Sequence, residues 1–258
     1  GRSAARSPRS TAAAKLVTPD ARAAKELAVR FSNQDRWGEG PPSALHFITP
    51  DRVRVACTVP RRGWPIPCTL PDGTQVPPNL VSRISATRPS PNGIAGRGVL
   101  LDLARTEGLP RLPDGLAIAP EQLDTCAEGQ GVTIESGDIL LIRTGSLSHC
   151  YTRASWKDYL WGPAPGLSLA CARWLFEREV ALVATDTASV EVRPSEIPGN
   201  EHPLRRISLE HTGVLFGENF HLDALAEICA ADGDYAFLFA VPPLRDTDAC
   251  PARPLTIK

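Results

Sequence analysis

The stretch GLSLACARWLFEREVALVATD, residues 166–186, decides the fold class. Its first part repeats apolar residues at helical spacing: Leu169, Ala172, Leu175 and Phe176 share one side, and Ser168 is placed to cap the turn. Its second part, VALVATD, is an unbroken apolar run that ends in acid, the pattern of a strand buried on both faces. A helix that leads straight into a buried strand is the repeating unit of an α/β sheet.

The same alternation extends to both sides. Upstream, ESGDILLIRTG (135–145) reads as a buried strand between glycines, and APEQLDTCAEGQG (119–131) as a helix closed by glycine. GIAGRGVLLDLAR (93–105) places a β-like run, Val99 to Leu103, behind glycines. Downstream, GVLFGEN (213–219) and YAFLFAVPPL (235–244) read as strands that flank a short helix, HLDALAEICAADG (221–233). The first third is less regular. Asp20 is placed to cap PDARAAKELAVRF (19–31), and Thr49 with Pro50 marks a second helix start. Residues 57–93 are expected to be irregular, because their prolines are too closely spaced for a helix or a central strand.

Composition narrows the classes. The chain has 258 residues, 42% of them hydrophobic and 22% charged, with a formal charge of −1. That is ordinary globular composition, and it advertises no basic face for nucleic acid. No apolar run approaches the roughly 20 residues that a membrane-spanning helix needs. The seven cysteines are scattered without a CxxC pair, which points to free thiols and a cytoplasmic setting. Proline is abundant, at 25 residues, and methionine is absent from a chain that starts at Gly1, which points to a processed chain, a cut one or an incomplete gene model. The opening GRSAARSPRSTAAAK, rich in Arg, Ser and Ala, fits a disordered leader or a transit peptide, and residues 1–35 are assigned to it.

Recurrent catalytic motifs are missing. There is no G-x-S-x-G elbow for a serine hydrolase. NGIAGRG has glycines but no phosphate-loop lysine, and it precedes a strand where dinucleotide loops follow one. The five histidines form no metal-binding pair at helical spacing. Two acids stand out by position: Asp186 and Glu218 each end a strand, where a carboxylate faces the cleft at the carboxyl edge of an α/β sheet. For Asp186 a turn or cap with Thr187 is the alternative role.

Several stretches together resemble the cyclase family of hydrolases related to bacterial kynurenine formamidase (arylformamidase). In order they are RWGEGPPSALHFITPDRV (36–53), GIAGRGVLLDLAR, GDILLIRTG, the segment 163–194, GVLFGENFHLDALAE and YAFLFAVPPLR. The resemblance implies a single α/β domain over 36–258 with a swivelling β/β/α arrangement, assembled as a homodimer or homotetramer. It also implies hydrolysis of N-formylkynurenine or related amides, on the route from tryptophan to kynurenine, with zinc or manganese as cofactor. No nucleic-acid or membrane partner is expected.

The departures are equally specific. The family's H-x-G-T-H-x-D segment should lie between the helix at 48–53 and GIAGRG, yet residues 54–93 contain no histidine. Glu218 matches the family's carboxylate ligand, but the histidine that should precede it is replaced by Arg205. A guanidinium stays protonated and cannot ligate a cation. His202, three residues earlier, is the substitute candidate. Glu218 and His202 are therefore the expected metal residues, and Asp186 and Thr187 the expected pocket residues. As written, the chain is expected to hold no functional metal and to be inactive as a hydrolase. The alternatives are a non-catalytic binding or structural relative, and an incomplete gene model. Loss of the segment is also expected to bare apolar strand edges and to lower solubility.

Overall fold

A computed structural model describes residues 19–71, 73–77, 80–245 and 249–258. Its framework is one nine-stranded mixed sheet. The strands are β1 (Pro65–Pro67), β2 (Arg83–Ser85), β3 (Ile94–Asp102), β5 (Ile139–Arg143), β7 (Leu182–Thr185), β8 (Leu215–Glu218), β9 (Ala236–Val241), β10 (Cys250–Pro251) and β11 (Leu255–Ile257). Their order is β1-β11-β9-β3-β5-β7-β8-β2-β10. A separate parallel ladder joins β4 (Ala117–Ile118) to β6 (Gly166–Leu167).

The centre of the sheet, β3-β5-β7-β8, is parallel. Its residues alternate between two apolar layers, because successive side chains point to opposite faces. Val99, Leu101, Leu140, Ile142, Val183 and Phe216 face one layer. There they meet α4 (Pro120–Gly129) through Leu123 and Cys126, and α6 (Cys171–Glu177) through Ala172, Trp174 and Leu175. Leu100, Leu141, Leu182, Ala184 and Leu215 face the other layer. That layer is closed by Leu225, Ala226 and Cys229 of α8 (Asp223–Asp232) and by Phe237 and Phe239 of β9. Burial on both faces explains why these strands read as unbroken apolar runs.

The helix starts follow the chemistry expected of them. The Asp20 carboxylate accepts from Ala23 N at 2.8 Å to open α1 (Ala21–Arg30), and the Thr49 hydroxyl accepts from Arg52 N ahead of α2 (Pro50–Ala56). Helix α1 falls inside the stretch assigned to a leader. Its Phe31 end packs on Phe176 at 5.5 Å between ring centroids, and Asn33 bonds the carbonyls of His211 and Thr212. Residues 1–18 lie outside the described residues. Ser168 is not the cap of α6: Leu167 and its neighbour are drawn into β6, and Ala170 takes the cap position. Backbone pairing with β4 there outweighs a single side-chain cap. Trp37 stacks on His46 at 4.9 Å and meets Phe47 edge-on, which seats the RWGEG stretch.

Residues 57–93 are mostly irregular but supply β1 and β2. Both outer strands of the sheet, β1 and β10, are short and carry proline: Pro65 and Pro67 in one, Pro251 in the other. The expected bare apolar edges are therefore not found among the described residues. Proline lacks the N–H that a further strand would need, so these ends resist pairing with another chain. All seven cysteines are free.

The glycines of NGIAGRG have a packing role. Gly98 faces Phe237 across the β3–β9 pair, and the fully buried Phe237 ring lies over it. A Cβ at Gly98 would run into that ring. Replacing Gly98 with alanine should therefore lower stability by about 1–3 kcal/mol through overpacking. Urea denaturation of the variant checks this; an unchanged midpoint would show that the ring has room to move.

Candidate functional site

The carboxyl ends of the parallel strands lie on one edge of the sheet, the edge at which open α/β sheets place ligands. Three strand ends build the candidate site: Thr144 and Gly145 after β5, Asp186 and Thr187 after β7, and Glu218 at the end of β8 with Asn219 after it.

Asp186 does not face the cleft. It is 2% exposed, and its carboxylate accepts from Thr144 N, the Thr144 hydroxyl and Gly145 N, each at 2.7 Å. It therefore fastens the end of β7 to the start of α5 (Ser146–Arg153). Gly145 is required at that turn: its φ is +82°, and a Cβ would collide with the Pro110 carbonyl and Arg111. Burial pushes the Asp186 carboxyl up to about 6, opposed by the Thr144 bonds. Burial also raises the Tyr159 phenol, and Asp186 adds to that. The Tyr159 hydroxyl donates to the Asp186 carbonyl and to the Asn219 side-chain oxygen, both at 3.1 Å. Asn219 adopts φ +61°, a left-handed conformation that asparagine tolerates better than most residues.

Thr187, by contrast, lines a cleft of about 270 Å³. One face of α5 forms a wall of it: Ser146, His149, Cys150 and Arg153 stand at positions i, i+3, i+4 and i+7. Arg111 and Lys157 supply further walls. Burial, then Arg111 and Arg153, hold the His149 imidazole below its ordinary value. Burial raises the Cys150 thiol, so it is a poor nucleophile at neutral pH.

Glu218 faces β2 rather than an open site. It stands directly opposite Arg83 in the β2–β8 register, and Arg83 Nε donates to its carboxylate at 2.5 Å. The Glu218 side chain is 9% exposed and that of Arg83 26%. A second nitrogen of Arg83 donates to the Ala188 carbonyl. His202 does not join Glu218 either. Its Nδ1 lies 3.2 Å from Glu191, whose other oxygen accepts from Leu204 N. That hydrogen bond raises the His202 imidazole above its ordinary value. Arg205 donates to the Ser85 hydroxyl at 3.0 Å. Arg193 donates to the Tyr159 and Leu160 carbonyls, and burial lowers its guanidinium.

These donors do not fit a divalent cation. Among the described residues no group of three His, Cys, Asp or Glu could hold one, and a catalytic zinc site needs about three ligands with an open position. The one carboxylate that matches the family's ligand is already neutralised by a guanidinium. The expected pairing of Glu218 with His202 is thus not formed: Arg83 holds Glu218, and His202 Nδ1 bonds Glu191. Of the two histidines flanking β8, His221 has its Nε2 3.4 Å from Asp223 and its ring edge-on to Tyr151, while His211 contributes its backbone carbonyl to Asn33. Arg83 carried no mark in the sequence. The polar face of α5 did, since its four cleft residues follow helical spacing in SLSHCYTR.

Asp186→Asn should cost roughly 1–3 kcal/mol at neutral pH, because an amide nitrogen would then meet one of the donors now bonded to the carboxylate. The raised carboxyl also has a pH signature. Its contribution to stability is fully present below its ordinary value of 3.8 and is lost as pH rises through about 6. Between pH 4 and 6 the native chain should therefore lose stability relative to Asp186→Asn, as read from paired thermal melts. Parallel curves would mean that Asp186 titrates normally.

The chain matches the Cyclase family model ("Putative cyclase") over residues 46–192, more than half its length. No curated protein matches it in sequence. Among solved structures it is similar to a novel cyclase at 22% identity, with a TM-score of 0.74 over 88% of this chain and 100% of that one. It also matches a predicted metal-dependent hydrolase from Bacillus stearothermophilus (19% identity, TM-score 0.48, 75% of this chain and 87% of that one). A third match is an isatin hydrolase bound to the product analogue thioisatinate (14%, 0.48, 63% and 59%). The first of these shows the same fold. With a doubly covered mixed sheet that fits the family's α/β architecture, this chain belongs to the cyclase family.

Proposed function

We propose that this chain is a cyclase-family protein that has given up metal-dependent amide hydrolysis and serves as a small-molecule-binding relative of the hydrolases. The observation that carries the reading is the Arg83–Glu218 pair, a buried carboxylate neutralised from within the chain at the position where the family resemblance expects a metal ligand. A divalent cation would have to displace a charge-assisted hydrogen bond and then sit beside the guanidinium it displaced. Arg205 stands in place of the expected histidine, and a guanidinium cannot ligate a cation. The resemblance to arylformamidase names the reaction to test: hydrolysis of N-formylkynurenine to the amine and formate.

The purified chain should contain far less than one zinc or manganese per molecule and should not hydrolyse N-formylkynurenine above the uncatalysed rate. About one metal per chain, with hydrolysis abolished by chelation, would overturn the proposal.

The ion pair itself makes a second prediction. Arg83→Met leaves Glu218 buried without its partner and should cost roughly 1–3 kcal/mol. Adding Glu218→Gln should recover much of the loss, because the remaining group is neutral. Chemical denaturation of the single and double variants beside the native chain reads this out. Equal losses in the single and double variants would show that the pair contributes only packing.

A further inference from the structure

The cleft along α5 adjoins the Arg83–Glu218 corner through Ala188, whose carbonyl accepts from Arg83, but neither Arg83 nor Glu218 lines it. We propose that it binds a small oxyanion, a carboxylate or phosphate group carried on a small molecule, held by Arg153 and Lys157. This goes beyond the loss of metal chemistry and stands whether or not that reading holds.

Position is the first argument. The cleft sits where β5 and β7 end, with Thr187 in its lining and the face of α5 as one wall. Open α/β sheets present their ligand crevices at this edge. Charge is the second. Of the three cationic side chains in the cleft, Arg111 is committed to an ion pair with Asp114. Arg153 and Lys157 pair with no carboxylate among the described residues, and both are exposed. Asp158 is the remaining acid, so the lining keeps an excess of positive charge. His149 reports the same field: the two guanidiniums that face it help hold its imidazole neutral. Chemistry is the third. A guanidinium fork bonds two oxygens of a carboxylate or phosphate at once, and the ammonium adds a point charge. Ser146 and Ser155 place neutral hydroxyls in the same lining. The volume of about 270 Å³ admits a small ligand.

The test is calorimetric titration of the full chain with inorganic phosphate and, separately, with benzoate, at ionic strength fixed by sodium chloride. At least one probe should bind saturably, with Kd of about 1 mM or tighter. The double variant Arg153→Glu/Lys157→Glu should weaken that binding at least about tenfold. Both side chains are exposed, so its melting curve should match the native one and exclude misfolding as the cause. Reversal of two charges elsewhere, Lys25→Glu/Arg30→Glu on α1, should leave affinity unchanged. Binding of one probe alone identifies which oxyanion the cleft prefers. Absence of saturable binding by both probes, or equal weakening by the two double variants, would overturn the proposal.

Discussion

A buried carboxylate holds the carboxyl edge of this sheet together. Asp186 follows the end of a strand and is buried, and its charge would be costly there without partners. Two backbone N–H groups and one hydroxyl, all from the β5–α5 turn, supply them. The bonds do more than satisfy an ion. They fix the direction in which α5 leaves the sheet, and so they set the face that its residues present to the cleft. Through the Tyr159 hydroxyl the same network reaches Asn219 and the end of β8. Three strand ends are thereby locked in one arrangement, which is the pre-organisation that a binding site needs.

Glu218 shows how one site position can be stabilised in two ways. A buried carboxylate needs positive charge nearby. A divalent cation supplies it while drawing in several further ligands. A guanidinium supplies it with fixed geometry and only N–H donors, so it gathers no further metal ligands such as histidine around it. Here Arg83 takes the second route and spends another donor on the Ala188 carbonyl. The neighbouring Glu191 is likewise satisfied within the chain, by His202 and Leu204 N. Each acid in this corner has its own local partner, so none is left to converge on a shared ion.

How much could be read beforehand varied with the range of the interaction involved. The parallel strands were legible because burial on both faces leaves an unbroken apolar run, as in VALVATD and DILLIR. Helix starts at Asp20 and Thr49 were legible because capping is a contact across three residues. Asp186 and Glu218 were legible as strand-end acids, but their roles were not. Asp186 became an anchor because Thr144 and Gly145, more than forty residues away, aim their donors at it. Ser168 lost its capping role to a strand pairing with β4 that no local pattern encodes. Arg83 went unmarked because its significance lies in the residue opposite, which β2–β8 pairing brings in from 135 positions along the chain.

The sequence by itself determined the α/β class, the central parallel strands and the absence of the family's histidine motif. Those are properties of periodicity and of residue types present or missing, and each can be read in a window of a few residues. Only the tertiary structure decided which charge meets which: that Arg83 neutralises Glu218, that His202 turns to Glu191, and that Arg153 and Lys157 remain without a carboxylate among the described residues. The reason is the reach of the forces. Hydrophobic patterning is a sum over many neighbouring residues and tolerates error, whereas an ion pair depends on two side chains from distant segments arriving within hydrogen-bonding distance of each other.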